Sequence, residues 1–173
     1  MPLTLISMIG FGWCHLLTSR ESLRNATPAD AWKIDARIAE GDHLMFAAFR
    51  KWMSEQRDPF LIWTLSEANN NHNGLLTYSL SRNHRSSLVW GMLEWIRVNA
   101  VSSYGLFYCH DDEDTKGRNA YGRLTEEDYT NVYRVHRLRN GKLEELADPF
   151  FGSIEGGLVP VHPEDRDDAS GEG

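Results

Sequence analysis

Four consecutive acidic residues follow His110 in the sequence: Asp111, Asp112, Glu113 and Asp114. Clustered carboxylates beside a histidine could hold Mg²⁺ and supply a general base. However, consecutive carboxylates on a strand cannot all point at one ion, and the run lacks the ligand spacing of a calcium-binding loop. Three interpretations stay open: a solvated acidic loop, an acidic surface shaped for a cationic partner, and a metal site.

Other catalytic motifs are absent from the sequence. The seven histidines are scattered, and no pair has the i, i+4 spacing with an intervening Glu that zinc hydrolases use. The sequence also lacks a phosphate-binding loop, a dinucleotide-binding motif and a Gly-x-Ser-x-Gly turn. Cys14 and Cys109 are too few for a disulfide framework and too far apart for a zinc site, so we expect reduced core residues. The sequence therefore predicts neither an enzyme nor a bound cofactor, with a metal-dependent enzyme that uses Asp111–Asp114 as the alternative.

A second group of candidate binding residues, Asn83, His84 and Arg85, directly precedes a predicted helix. Such residues form an ordinary loop and helix cap, or they contribute to a recognition surface, because loops on a rigid scaffold commonly carry binding residues. Within the following helix, Trp90 falls off the apolar stripe. We expect Trp90 to be an exposed anchor for a partner.

The elements that position these residues follow from hydrophobic periodicity and turn signals. Thr27 as N-cap with Pro28 at the first helical position predicts a helix to Gln56, which Gly41 could kink or split, and a second, short helix begins near Ser86. Strand-like runs cover residues 5–17, 60–66, 75–81, 104–109 and 132–138, and an Asn-Gly turn leads into a short terminal strand at 142–146. The order β-α-β-β-α-β-β, plus that short strand, predicts an α+β fold with a mostly antiparallel sheet and both helices packed on one face.

Length and charge limit the class of protein. The 173 residues, 41% of them hydrophobic, predict one domain over residues 1–163, followed by a disordered acidic tail, 164–173. The net charge of -7, concentrated after residue 100, argues against a nucleic-acid partner and favours a basic one. No basic residue precedes the apolar run Leu3–Gly12, and no stretch is long enough to span a bilayer. We expect a cytoplasmic protein with no membrane partner.

An ordered set of short motifs resembles the immunity protein 7 family of bacterial polymorphic toxin systems. The motifs are Gly12-Trp13, Asn83-His84-Arg85-Ser86, Leu93-Glu94-Trp95-Ile96, Ser103-Tyr104-Gly105-Leu106, Asp111-Asp112-Glu113-Asp114 and Asp148-Pro149-Phe150. The resemblance implies a small cytoplasmic antidote, encoded beside a secreted toxin, that folds as α+β and works by tight binding. Residues 115–130, which include Tyr121, Glu126, Glu127 and Asp128, form a longer segment than the family pattern suggests, and they are either specificity elements or a variable loop.

The sequence thus predicts an immunity protein that binds and neutralises a cognate toxin domain. An acidic surface would block a basic active-site cleft in the toxin and would speed encounter by electrostatic steering. The predicted partner contacts are Asn83, His84, Arg85, Trp90, Asp111, Asp112, Glu113, Asp114, Tyr121, Glu126, Glu127 and Asp128.

Overall fold

The computed structural model describes residues 8–18, 27, 29–68, 73–80, 86–111 and 133–146. These ranges contain the elements β1 (Met8–Leu16), α1 (Ala31–Glu55), β2 (Leu61–Ala68), β3 (Asn73–Leu80), α2 (Leu88–Asn99), β4 (Tyr104–Asp111), β5 (Arg134–Arg139) and β6 (Lys142–Leu146). The expected α+β class is confirmed, and the short terminal strand is present as β6. The predicted tail, 164–173, and the segment 115–130 lie outside the described residues.

The six strands form one sheet in the order β2-β3-β1-β4-β5-β6. Every neighbouring pair is antiparallel. The opening strand β1 lies in the middle of the sheet, between β3 and β4. The predicted Asn-Gly turn joins β5 to β6, and both of its residues have positive φ, 50° at Asn140 and 67° at Gly141. That conformation is the one that a two-residue hairpin turn requires, and it explains why Asn and Gly occupy these positions.

Both helices pack on the same face of the sheet, which we call the helix-side face. Side chains alternate along a strand, so every second residue of each strand points to this face. Phe46 and Phe49 of α1 and Met92 and Ile96 of α2 are buried in one apolar cluster with strand residues such as Phe107. The two amphipathic stripes read from the sequence therefore meet on the sheet, as expected. Neither α1 nor α2 combines the length and the apolarity needed to cross a membrane.

The first helix differs from its prediction at two points. It begins at Ala31 with Asp30 as N-cap, three residues later than expected, because a turn precedes it in which the Thr27 carbonyl accepts the N–H groups of Asp30 and Ala31. Gly41 does not interrupt the helix. Beside it, the buried carboxylate of Asp42 accepts hydrogen bonds from the backbone N–H (2.8 Å) and the hydroxyl (2.7 Å) of Thr18, which attach the end of β1 to this part of α1.

Candidate functional site

The face of the sheet turned away from both helices, which we call the open face, is rich in aromatic side chains. Alternation brings Phe11, Trp13 and His15 of β1 to this face, together with Tyr104 and Tyr108 of β4. Phe11 is 53% exposed and Tyr104 is 44% exposed. We call these five residues the aromatic row. An exposed apolar patch of this kind marks an interaction surface more often than chance, since most soluble proteins keep such patches small.

Cross-strand pairing orders the aromatic row. Phe11 lies directly opposite Tyr108 in the β1–β4 register, and their rings stack with centroids 5.3 Å apart and an angle of 3° between the ring planes. Trp13 meets Tyr104 edge to face at 6.1 Å, and His15 stacks on Tyr104 at 5.1 Å. Because each ring is held by its neighbours on two central strands, the row loses little conformational entropy when it binds a partner.

The two flanks of the aromatic row differ in charge. On the β2–β3 side the open face carries uncharged residues, such as the exposed Ile62 and Leu75. On the β5–β6 side it carries Arg137, Arg139, Lys142 and Glu144. Arg137 donates to a Glu144 oxygen from Nη2 at 2.9 Å and from Nε at 3.3 Å. This hydrogen bonding and the charge of Arg137, with smaller contributions from Lys142 and Arg139, lower the pKa of the Glu144 carboxyl.

A pocket of about 590 Å³ opens where the aromatic row meets the charged flank. Its lining consists of Trp13, Tyr104, Gly105, Leu106, Arg137, Leu138, Arg139 and Asn140. The pocket therefore combines an aromatic and aliphatic wall with guanidinium groups at one side. This combination suits the side chains of a binding partner, because apolar surface supplies affinity and a few polar groups fix orientation.

Of the four residues in the predicted acidic site, the structure describes only Asp111. Asp111 is the last residue of β4 and is 3% exposed, so the expectation that it lies in an exposed acidic loop is wrong. The reason is register: Asp111 is paired with Met8, and both point to the helix-side face. The remaining predicted contacts except Trp90 lie outside the described residues and stay predictions: Asn83, His84, Arg85, Asp112, Glu113, Asp114, Tyr121, Glu126, Glu127 and Asp128.

The prediction for Trp90 is also wrong. Its ring is half-buried and meets Phe107 edge to face at 5.3 Å and His136 at 4.8 Å. The apolar side of α2 is wider than the stripe read from the sequence, because Val89, the neighbour of Trp90, is buried as well. Trp90 therefore contributes to packing between α2 and the sheet, and it does not form an exposed anchor.

Burial shifts the pKa values of two side chains on the helix-side face, His136 and Cys14. Burial, followed by the charge of Arg134, lowers the pKa of His136 to about 3, so this imidazole is neutral at pH 7. Cys14 and Cys109 are buried and free, as predicted, and burial raises the pKa of the Cys14 thiol well above its usual range. In the part of the chain that the structure describes, no three His, Cys, Asp or Glu side chains lie close enough together to hold a metal ion.

The residues of the aromatic row were missed in the sequence because the strands that carry them are apolar on both faces. Phe11 and Trp13 alternate with Gly10, Gly12 and Cys14, so the pattern of β1 does not separate a covered side from an open one. The available signal was the recurrence of aromatic side chains at every second position of β1, at Phe11, Trp13 and His15, and at two positions of the same face of β4, Tyr104 and Tyr108. Comparison of the chain with models of known families, with curated proteins and with solved structures found no match.

Proposed function

We propose that this protein is an immunity protein that neutralises a cognate secreted toxin by binding the toxin domain. The observation that carries the proposal is the aromatic row: exposed and half-exposed rings, ordered by mutual contacts, on the side of the sheet turned away from both helices. Aromatic residues are enriched at the centres of protein interfaces, where a few of them supply most of the binding energy. The sequence motifs that resemble the immunity protein 7 family supply the kind of partner.

The scaffold supports tight binding. The central strands β1 and β4 hold the aromatic row, and a core formed with both helices lies behind them. A binding surface that is already ordered avoids the entropic cost of ordering side chains on association. An antidote that acts by occupancy needs this property, because every toxin molecule must be held until it is degraded or diluted.

The acidic residues have a separate part in the proposal. The described ranges contain nearly equal numbers of basic and acidic side chains, so most of the net charge of -7 belongs to residues outside them. We assign these acidic residues, including Asp112–Asp114 and Glu126–Asp128, to steering a toxin with a cationic cleft toward the open face. Electrostatic steering raises the association rate more than it raises the affinity, and salt screens it.

The decisive experiment is a calorimetric titration with the toxin domain encoded beside this gene. We expect a stoichiometric complex with nanomolar affinity, about -12 kcal/mol. Replacing Phe11 and Tyr108 together by Ala should weaken binding about tenfold or more, because both rings would be removed from the centre of the interface. Circular dichroism should show that the double variant is folded.

A matched control comes from α1, where Trp32 and Leu44 are 68% and 67% exposed and lie away from the open face. Their double Ala variant removes a similar amount of exposed apolar surface and should bind the toxin with unchanged affinity. Full affinity in the Phe11 and Tyr108 variant would move the interface off the open face. Protection of the target at strongly substoichiometric ratios would show turnover and would contradict a binding mechanism.

A further inference from the structure

The charged flank of the open face holds more cations than carboxylates. Arg139 lies directly opposite Lys142 in the β5–β6 register, and Arg137 lies opposite Glu144, so all four side chains share the open face. Glu144 is bonded to Arg137. Neither Arg139 nor Lys142 forms an ion pair with any residue in the described ranges, and Arg139 is exposed. The flank therefore has cationic groups available to a second carboxylate.

The influence of these cations on Glu144 points the same way. Arg137, Lys142 and Arg139 each lower the pKa of the Glu144 carboxyl, which means that all three stabilise negative charge at this place. A further carboxylate placed between Arg139 and Lys142 would experience the same sign of field. Arginine can bind it with two parallel hydrogen bonds, which fixes the orientation of the ligand as well as its charge.

An apolar wall adjoins this cationic group. Trp13 and Tyr104 line the pocket together with Leu106, and the edge-to-face contact of the two rings holds them in place. The same pocket is lined by Arg137 and Arg139. A ligand that fills the pocket must therefore present an apolar or aromatic group to β1 and β4, and an anionic group to β5.

We propose that this pocket binds an acidic side chain of the partner protein, next to an apolar or aromatic one. The inference rests on the proposed function in one respect, which is that the occupant is a protein. In the proposed function, acidic residues of this protein steer the cationic site of the toxin, and the pocket adds a contact of the opposite sign. The toxin must therefore also carry an acidic and apolar segment beside its cationic site. Two contacts of opposite sign fix the register of the complex and reject related toxins in which either charge is misplaced.

The test uses short peptides, so that it does not depend on the toxin. The full-length, ¹⁵N-labelled protein is titrated with acetyl-Glu-Phe-Glu-amide and with the uncharged acetyl-Gln-Phe-Gln-amide, while the Trp13 indole N–H and the amides of Tyr104 and Arg139 are followed by NMR. We expect millimolar binding of the acidic peptide, about threefold tighter than the uncharged one at low salt. The difference should vanish at about 0.5 M salt, since the contact is exposed.

Variants assign the effect to residues. Arg139→Gln should reduce the affinity for the acidic peptide to that for the uncharged peptide. Arg37→Gln, which removes an exposed guanidinium on α1, should leave both affinities unchanged. Trp13→Ala should weaken binding of both peptides equally, because both use the apolar wall.

Three results would overturn the proposal. They are equal binding of the two peptides at low salt, an unchanged affinity in Arg139→Gln, and the absence of shifts at about 10 mM acidic peptide. A parallel titration with AMP tests whether the pocket instead binds a nucleotide, which is also anionic and planar. Tighter binding of AMP at the same resonances would assign the pocket to a nucleotide and contradict the proposal. Since no toxin is present, these outcomes leave the calorimetric test of the proposed function independent.

Discussion

Two neighbouring residues of β4, Phe107 and Tyr108, show how differently the two faces of the sheet are used. Phe107 points to the helix-side face, is completely buried, and contacts the rings of Tyr78 (5.6 Å) and Trp90 (5.3 Å). Tyr108 points to the open face and stacks on Phe11, which is largely exposed. Both faces are aromatic, so composition does not distinguish them. The helices cover one and leave the other, and this coverage separates residues that stabilise the fold from residues available for binding.

Charged residues follow the same division. On the helix-side face, Arg134 is buried and forms an ion pair with Glu145. On the open face, Arg137 pairs with Glu144, with 41% of the arginine side chain and 44% of the glutamate side chain exposed. A buried charge must be paired to offset its desolvation, whereas an exposed one has water as an alternative partner. The exposed arginines can therefore exchange their contacts with water for contacts with a partner protein, at little cost to the stability of the fold.

The largest expected effect comes from the covered member of the β4 pair. Phe107→Ala would leave a cavity among Tyr78, Trp90 and Gly10, where the ring lies so close to Gly10 that a Cβ there would be only 2.7 Å from it. We expect a loss of about 3–5 kcal/mol in the free energy of unfolding, measured by urea denaturation. Such a loss is a large share of the stability of an ordinary domain.

Tyr108→Ala is the matched control, one residue along the same strand. It should cost about 1 kcal/mol or less in stability, since it removes a half-exposed stacked pair, yet it should weaken toxin binding. If both substitutions destabilise the fold equally, the open face is a second core face and the division between the faces is wrong.

The next effect compares the two ion pairs. Glu145→Gln should cost about 1–3 kcal/mol, because it replaces an ionised partner of the buried guanidinium of Arg134 by a neutral one. Glu144→Gln should leave the urea midpoint unchanged, because Arg137 is exposed and remains hydrated. Equal midpoints for the two variants would show that the burial of Arg134 does not make its pairing with Glu145 important for stability.

The fold was largely predictable because its signals are local and repeated. The Asn140-Gly141 turn, the helical stripes and the alternating strands each specify an element, and the short hairpin places β6 beside β5. No hairpin sets the position of β1 between β3 and β4, because α1 separates β1 from β2 and α2 separates β3 from β4. The prediction for Trp90 failed because the apolar stripe read from the sequence underestimates how much of α2 is covered. Burial of a helix face depends on what packs against it, which the helix sequence does not contain.

The candidate site was less predictable than the fold. Asp111 reads as a loop residue because three more acids follow it, but the β1–β4 register extends through it and points it inward. The aromatic row is exposed only because the helices pack against the other face of the sheet. The sequence of β1 is apolar enough on both faces for the helices to pack against either one. The deciding fact is tertiary: Phe46 and Phe49 of α1 pack against one face and leave the other open.

The smallest predicted effect is a pH dependence that arises on the helix-side face. Burial lowers the pKa of His136 from 6.5 to about 3, whereas the unfolded chain keeps the ordinary value. Between these values the unfolded state binds a proton that the folded state does not, so stability is full above pH 6.5 and falls as the pH decreases. One group contributes at most about 1.4 kcal/mol per pH unit, so we expect a loss of about 1 kcal/mol between pH 6.5 and 5.5.

Urea denaturation at both pH values should show this loss in the native protein and in His15→Gln, which alters a histidine of the open face. His136→Phe, which keeps a ring beside Trp90, should lose less than the native protein over the same interval. An identical loss in native protein and His136→Phe would mean that other groups cause the pH dependence and that the charge state of His136 does not depend on folding.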